Sequence, residues 1–230
     1  MLQLVNRFFM GNNHPYSTKL SWLTKLLPLV IATIFLALFN CLLIANPAAA
    51  HHPFGGTTPT NFFQGFLSGL GHPVIGIDHF VFTIAIGLLA ALRKPQGIFI
   101  PIAFVLATLG GTGLHLMSLD LPFPETIIAT SVLVVGLILG IANNLNLIGL
   151  VIAAALAGVF HGYAYGEAIV GAEMTPLIAY LAGFAFIQLA VALSAYQIST
   201  IMFKKFSENS KLYLRFAGFT ILGMGAAFLF

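Results

Sequence analysis

Long apolar runs separated by short polar stretches dominate the pattern of this 230-residue chain. One run starts with an apolar lead-in at 61–70 and ends where Arg93, Lys94 and Pro95 interrupt it. Five more runs cover about 97–117, 125–142, 146–165, 175–203 and 211–230. A helix of roughly 20 apolar residues crosses the hydrocarbon core of a bilayer, so each run is long enough to span it. The pattern therefore predicts an all-α integral membrane protein with six transmembrane helices.

A further apolar run lies near the N-terminus and has a different character. Residues 1–25 are polar and basic, residues 26–45 are apolar, and Asn46-Pro47-Ala48-Ala49-Ala50 follows as a small-residue stretch. This order is typical of a secretory signal peptide. We expect a leader at 1–50 that is cleaved after Ala50 and a six-helix membrane domain at 51–230. An uncleaved anchor is the alternative, and both place residue 51 on the outer side.

Composition supports a membrane protein and narrows its chemistry. The chain is 59% hydrophobic and only 7% charged, whereas an ordinary soluble domain has a charged fraction near 25%. Its nine Lys and Arg residues are scattered among loops, so no basic face for nucleic acid is expected. Cys41 is the only cysteine and lies in the apolar run at 26–45. Without a disulfide or a thiolate site, metal chemistry must use His, Asp and Glu.

The distribution of charge predicts an orientation. With residue 51 outside, all the cationic side chains after it fall at cytoplasmic loops or helix ends, as the positive-inside rule requires. These are Arg93, Lys94, Lys204, Lys205, Lys211 and Arg215, whereas Asp120, Glu125, Glu167 and Glu173 fall outside. We therefore expect a multi-pass protein of a bacterial cell membrane (the inner or plasma membrane) with its mature N-terminus outside.

Residues 71–79 place His72, Asp78 and His79 inside an apolar run. Ionisable groups at membrane depth are costly and are usually functional. In a continuous helix the two histidines would lie on one face, roughly 10 Å apart along the axis, with Asp78 about 100° away from His79. Imidazole and carboxylate ligands suit a divalent transition metal. The alternative is that His72 caps a helix beginning at Pro73 while Asp78 and His79 only pair with each other.

The other histidines of the mature chain also lie in its outer half or on its outer face. His115 is near the outer end of the second helix, and His161 is in the outer half of the fourth, close to Glu167. His51 and His52 would begin the mature chain, where an α-amine and two imidazoles could capture a metal ion. The pattern indicates a metal funnel that opens outward. Two alternatives stay open: a helix-to-helix hydrogen bond at His115 and an inert tail at residues 51–52.

The motif His72-Pro73-Val74-Ile75-Gly76-Ile77-Asp78-His79 resembles the signature His-Pro-x-x-Gly-x-Asp-His of the HupE/UreJ family of nickel and cobalt permeases. A second motif, His161-Gly162-Tyr163-Ala164-Tyr165-Gly166-Glu167, is similar to that family's fourth-helix motif. The resemblance implies a six-helix permease with a cleavable leader, in which His72, Asp78 and His79 form the transport site and His161 and Glu167 come second. Many relatives carry His where this chain has Tyr165, so one soft ligand is missing.

The sequence thus predicts a permease, not an enzyme, that takes up nickel or cobalt from the outer side into the cytoplasm. No prosthetic group is expected, because the metal ion is the transported substrate. The lipid bilayer surrounds the protein. A homo-oligomer and metallocentre-assembly proteins are candidate partners, and nucleic acid is not. No Walker motif is present, and the membrane potential would favour inward movement by about 4 to 5 kcal/mol per 100 mV. The rivals are a non-transporting metal sensor or accessory protein and, less favoured without a His-Glu-x-x-His motif, an intramembrane metalloenzyme.

Overall fold

The computed structural model of the protein describes residues 57–141, 146–206 and 209–230. The signal-peptide prediction at 1–50 and the two histidines His51 and His52 therefore lie outside the described residues. They stay predictions.

The described residues form α-helices joined by short connections, and they contain no β-strand. The helices are α1 (Phe62–Ile75), α2 (Ile77–Ala91), α3 (Phe99–Leu116), α4 (Pro124–Ile141), α5 (Leu147–Glu167), α6 (Met174–Lys205) and α7 (Ser210–Ala227), with a 3₁₀ turn at Gln96–Ile98 before α3. The all-α prediction is thereby confirmed for this part of the chain.

The first membrane segment is a broken helix. The segments α1 and α2 are bent by 78° relative to each other, and the single residue between them, Gly76, has an extended backbone (φ −69°, ψ 98°). Pro73 lies in the last turn of α1, where its missing N–H removes a helical hydrogen bond. The expected continuous helix through His72 and His79 is therefore wrong. A helix beginning at Pro73 is also wrong, since α1 begins at Phe62 behind the capping side chain of Asn61, which accepts a hydrogen bond from the Gln64 N–H.

Four helical segments in the described residues are long and apolar enough to cross a membrane: Gln96–Leu116, α4, α5 and α6. Taking the bent pair of α1 and α2 as one span gives a fifth. Helix α7 is 18 residues long, and Lys211 and Arg215 in its first turns lower its mean hydropathy. The multi-pass prediction is confirmed, while the count of six stays a prediction.

The broken helix as a whole advances along α6 in the same direction. Close backbone approaches at Gly65 with Pro176 and at Gly87 with Ala192 mark this parallel course. A Cβ at either glycine would collide with the α6 backbone, so both positions require a residue without a side chain. Small residues of this kind let membrane helices pack closely.

Two further helix pairs complete the bundle. Helices α3 and α5 run parallel, whereas α4 and α7 run antiparallel. The close approaches that establish these directions are Gly158 with Phe104 and Gly166 with His115 in the first pair, and Gly136 with Leu222 and Gly225 with Leu133 in the second.

The cationic residues gather at one end of this bundle, as the sequence predicts. At one end Lys94 Nζ lies 5.3 Å from the centre of the Phe203 ring, and Arg215 Nε donates to the Gly140 carbonyl oxygen over 3.0 Å. Partial burial, and then the nearby Lys204 ammonium, lower the pKa of Lys94. The described part of the chain places its six cationic side chains at this end, where α2 and α6 finish and α7 starts.

Candidate metal site at the helix break

The break at Gly76 brings His72 and His79 together. Their ring centroids lie 5.9 Å apart with an interplanar angle of 61°, closer than the two turns of a continuous helix would place them. Both side chains are fully buried. A Cβ at Gly76 would lie 2.7 Å from Cδ2 of His79, so this residue leaves the space that the imidazole occupies. The bend is thus the feature that forms the pair.

The hydrogen bonds of His72 identify its tautomer. Its Nδ1 lies 2.9 Å from the hydroxyl oxygen of Tyr180, and that hydroxyl donates its single proton to the carbonyl oxygen of Tyr165 over 2.8 Å. The Nδ1 of His72 must therefore be the donor to Tyr180. A neutral imidazole with its proton on Nδ1 carries its lone pair on Nε2, which is the form a metal ion binds.

The tautomer of His79 follows in the same way from a longer series of hydrogen bonds. The hydroxyl of Ser131 donates to the Ile128 carbonyl oxygen over 2.7 Å, so it accepts from Nε2 of His161 at 3.0 Å. Nδ1 of His161 is then an acceptor, and Nδ1 of His79 donates to it over 2.8 Å. The lone pair of neutral His79 consequently also lies on Nε2.

His161 is enclosed on its other sides by aromatic rings. The Phe82 ring stacks on it at 4.4 Å between centroids, and the Phe104 ring meets it edge-on at 5.7 Å. Both ring nitrogens already have partners. Metal-bound histidines usually donate their second N–H to a group that fixes their orientation. The arrangement favours this orienting role for His161 over the ligand role expected from the sequence.

Asp78 lies in the first turn of α2, directly after the break. Its Oδ1 accepts a hydrogen bond from the backbone N–H of His79 over 2.8 Å. An acidic group at a helix N-terminus is favoured by the helix dipole. The half-buried carboxylate therefore adds negative charge beside the histidine pair.

The remaining predicted ligands lie apart from this pair. The His115 ring contacts Tyr163 at 4.5 Å between centroids, and Glu167 is exposed at the end of α5. No three His, Cys, Asp or Glu side chains in the described ranges are placed to hold a metal ion together. The funnel expected from the sequence is therefore not one shell of ligands within this part of the chain.

Sequence reasoning missed Tyr180 and Ser131, which hydrogen-bond to His72 and His161 respectively. Tyr180 comes from α6 and Ser131 from α4, about 108 and 30 residues from their histidine partners. Their only signal in the sequence is a polar group inside an apolar run, a feature that is usually explained by a local backbone bond.

The chain is similar to known proteins over most of its length. The family model described as HupE / UreJ protein matches residues 36–228. A protein named HupE from Rhizobium leguminosarum bv. viciae is 28% identical over 187 residues, which cover 81% of this chain and 93% of that protein. No solved structure matches the chain. Because the family model covers most of the sequence, the chain belongs to the HupE/UreJ family.

Proposed function

We propose that this protein is a permease that carries a divalent transition-metal ion, nickel or cobalt, from the outer side of the membrane to the cytoplasm. The family is associated with nickel and cobalt uptake. The observation that carries the proposal is the buried pair His72 and His79, each with Nδ1 donating to a neighbour and the lone pair on Nε2.

The spacing of the pair suits one ion between two imidazoles. A metal about 2.1 Å from each Nε2 can join rings whose centroids are up to about 6.5 Å apart, and these lie 5.9 Å apart. Since the described residues supply no group of three ligands, water would complete the shell. The carboxylate of Asp78 would offset part of the ion's charge.

A broken helix is a familiar place for such a site. Irregular backbone at membrane depth is tolerated where it lies inside the protein or lines a cavity, and transporters often bind cargo where a helix is interrupted. Here Gly76 is buried and lies between the two histidines. The interruption therefore supports a binding site within the membrane.

The helix directions support six crossings. The bent pair follows α6 from the contact of Gly65 with Pro176 to that of Lys94 with Phe203, so we infer that it crosses the membrane instead of turning back. Helix α7 runs antiparallel to α4 and would be the sixth crossing. His161 lies six residues before the end of α5, about 9 Å along the axis. The site would then be in the outer half.

This topology predicts which loops an impermeant thiol reagent reaches. After Cys41→Ser, a single cysteine at Lys94 should stay unlabelled in intact cells or spheroplasts, because it lies at the cationic, cytoplasmic end. A cysteine at Gly171 should be labelled. Both should react once the membrane is permeabilised. Labelling at 94 but not at 171 would reverse the orientation.

The hydrogen-bond chain predicts a long-range effect of Ser131→Ala. Losing the hydroxyl leaves Nε2–H of His161 buried without its acceptor, which favours the tautomer of His161 with its proton on Nδ1. Nδ1 of His79 must then accept this proton's hydrogen bond, so the proton of His79 moves to Nε2 and the lone pair there is lost. We expect nickel affinity to fall about tenfold, as for other groups that orient metal ligands. Equilibrium dialysis of the purified protein measures this.

Ser199→Ala is the matched control for that change. The hydroxyl of Ser199 donates only to its own helix, to the Ala195 carbonyl oxygen over 2.7 Å. This variant should bind like the wild type. If Ser131→Ala also binds like the wild type, the inferred tautomer of His79 is wrong.

The path to the site begins at the outer end in this proposal. His51 and His52 would gather the ion, and His115 near the outer end of α3 would pass it toward the break. The negative-inside potential of a bacterial inner membrane would favour inward movement. Metallocentre-assembly proteins or a second copy of the chain are proposed partners.

Ion flux separates this proposal from its main rival, a metal sensor or accessory protein that binds without transport. Purified protein should bind nickel or cobalt, with thermal stabilisation, and liposomes that contain only this protein should accumulate the ion. Binding without accumulation would favour the rival.

A further inference from the structure

Tyr165 carries a buried hydroxyl that the fold leaves unused. The side chain is 0% exposed, and its hydroxyl oxygen finds no hydrogen-bond partner among the residues that the structure describes. Buried polar groups are nearly always hydrogen-bonded, and an orphan of this kind calls for a reason. Burying a hydroxyl without a hydrogen bond costs free energy.

The position of this residue supplies a reason. The Tyr165 ring lies 5.0 Å from the His72 ring and 4.6 Å from the His79 ring, centre to centre. Its own carbonyl oxygen accepts the hydrogen bond from Tyr180, and so it helps to hold the hydroxyl that hydrogen-bonds to His72. Tyr165 therefore contacts both members of the pair.

The chemistry of a phenol fits an ion that keeps some of its water. The two imidazoles provide two ligands, so water must fill other positions on the ion. Water bound to a divalent metal is a strong hydrogen-bond donor, because the ion withdraws electron density from it. A neutral phenol accepts such a bond and can donate one in turn. Direct binding as phenolate would instead place a buried anion on the ion's shell, which is costly.

We propose that the Tyr165 hydroxyl holds a water molecule on the bound ion, so that the site selects a partly hydrated divalent cation. This inference rests on the proposed function, since it assumes that His72 and His79 bind the ion. It assigns Tyr165 a positioning role toward the ion's water and makes the residue a determinant of which ion is accepted.

Tyr165→Phe removes only the hydroxyl and tests this role. Nickel and cobalt binding by the purified protein should weaken about tenfold, while the melting temperature without metal should be equal or higher, because an unsatisfied buried group is gone. Tyr213→Phe is the control, since Tyr213 is 45% exposed on α7, and it should bind like the wild type. Unchanged binding by Tyr165→Phe would overturn the inference, whereas a wild type that binds neither ion would overturn the proposed function itself.

A second readout on the wild type does not depend on how Tyr165→Phe folds. Adding nickel should produce a near-ultraviolet tyrosine difference spectrum as the orphan hydroxyl gains a partner. The Tyr213→Phe protein should keep this signal. A wild type that binds nickel without any tyrosine signal would contradict a role for the Tyr165 hydroxyl.

Discussion

Asparagine in place of His79 is expected to lower nickel affinity by at least about a hundredfold, which corresponds to about 2.7 kcal/mol. The amide nitrogen of Asn can take over the donor role of Nδ1 toward His161, whose Nδ1 lies 2.8 Å from that of His79. Asn has no atom that replaces Nε2, so the change removes the metal ligand and keeps the hydrogen bond to His161. His72→Asn should act in the same way, because its amide can still donate to Tyr180.

Binding and stability must be measured together for these variants. Thermal unfolding without metal should stay close to that of the wild type, and stabilisation by nickel should be lost. The double variant should lose little more than either single one, because residues that form one site are not additive. Wild-type nickel affinity in both single variants would show that His72 and His79 do not bind the ion.

The second large effect is expected at Gly76. Its φ of −69° is open to any residue, so Gly76→Ala strains no backbone angle. The new Cβ would instead lie 2.7 Å from Cδ2 of His79 and 3.2 Å from the His72 carbonyl oxygen. One of the two must move, and overpacking of this kind costs about 1–3 kcal/mol. We expect nickel affinity to fall tenfold or more as the imidazoles separate, a change of about 1.4 kcal/mol upward.

Gly110→Ala is the matched control, because a Cβ there meets no atom within 4 Å. It should leave both membrane abundance and metal binding unchanged. If Gly76→Ala accumulates in the membrane and binds nickel like the wild type, then the contact between Gly76 and His79 is not what holds the pair in place.

Much of the fold could be predicted from the sequence because membrane helices follow directly from apolar length. The helices after Gln96 lie close to the predicted runs, and the cations gather at one end as the positive-inside rule requires. His72 and His79 stood out because ionisable groups are rare at that depth. These features depend on local composition alone.

The bend and the support of the pair could not be predicted in this way. Pro73 and Gly76 are visible in the sequence, but a kink of 78° also depends on how α1 and α2 pack along α6. The tautomers depend on Ser131 and Tyr180, which reach the site from other helices. The contacts of His161 with Phe82 and Ser131 could not be predicted for the same reason, since they are between helices.

Uptake of radioactive nickel and cobalt by liposomes that contain only this protein measures transport itself. With an inside-negative potential imposed, the wild type should accumulate at least one of the ions in a saturable way, and the His72→Asn, His79→Asn double variant should accumulate neither. Liposomes that take up neither ion, although their protein binds it, would contradict transport. Equal uptake by the double variant would contradict the site.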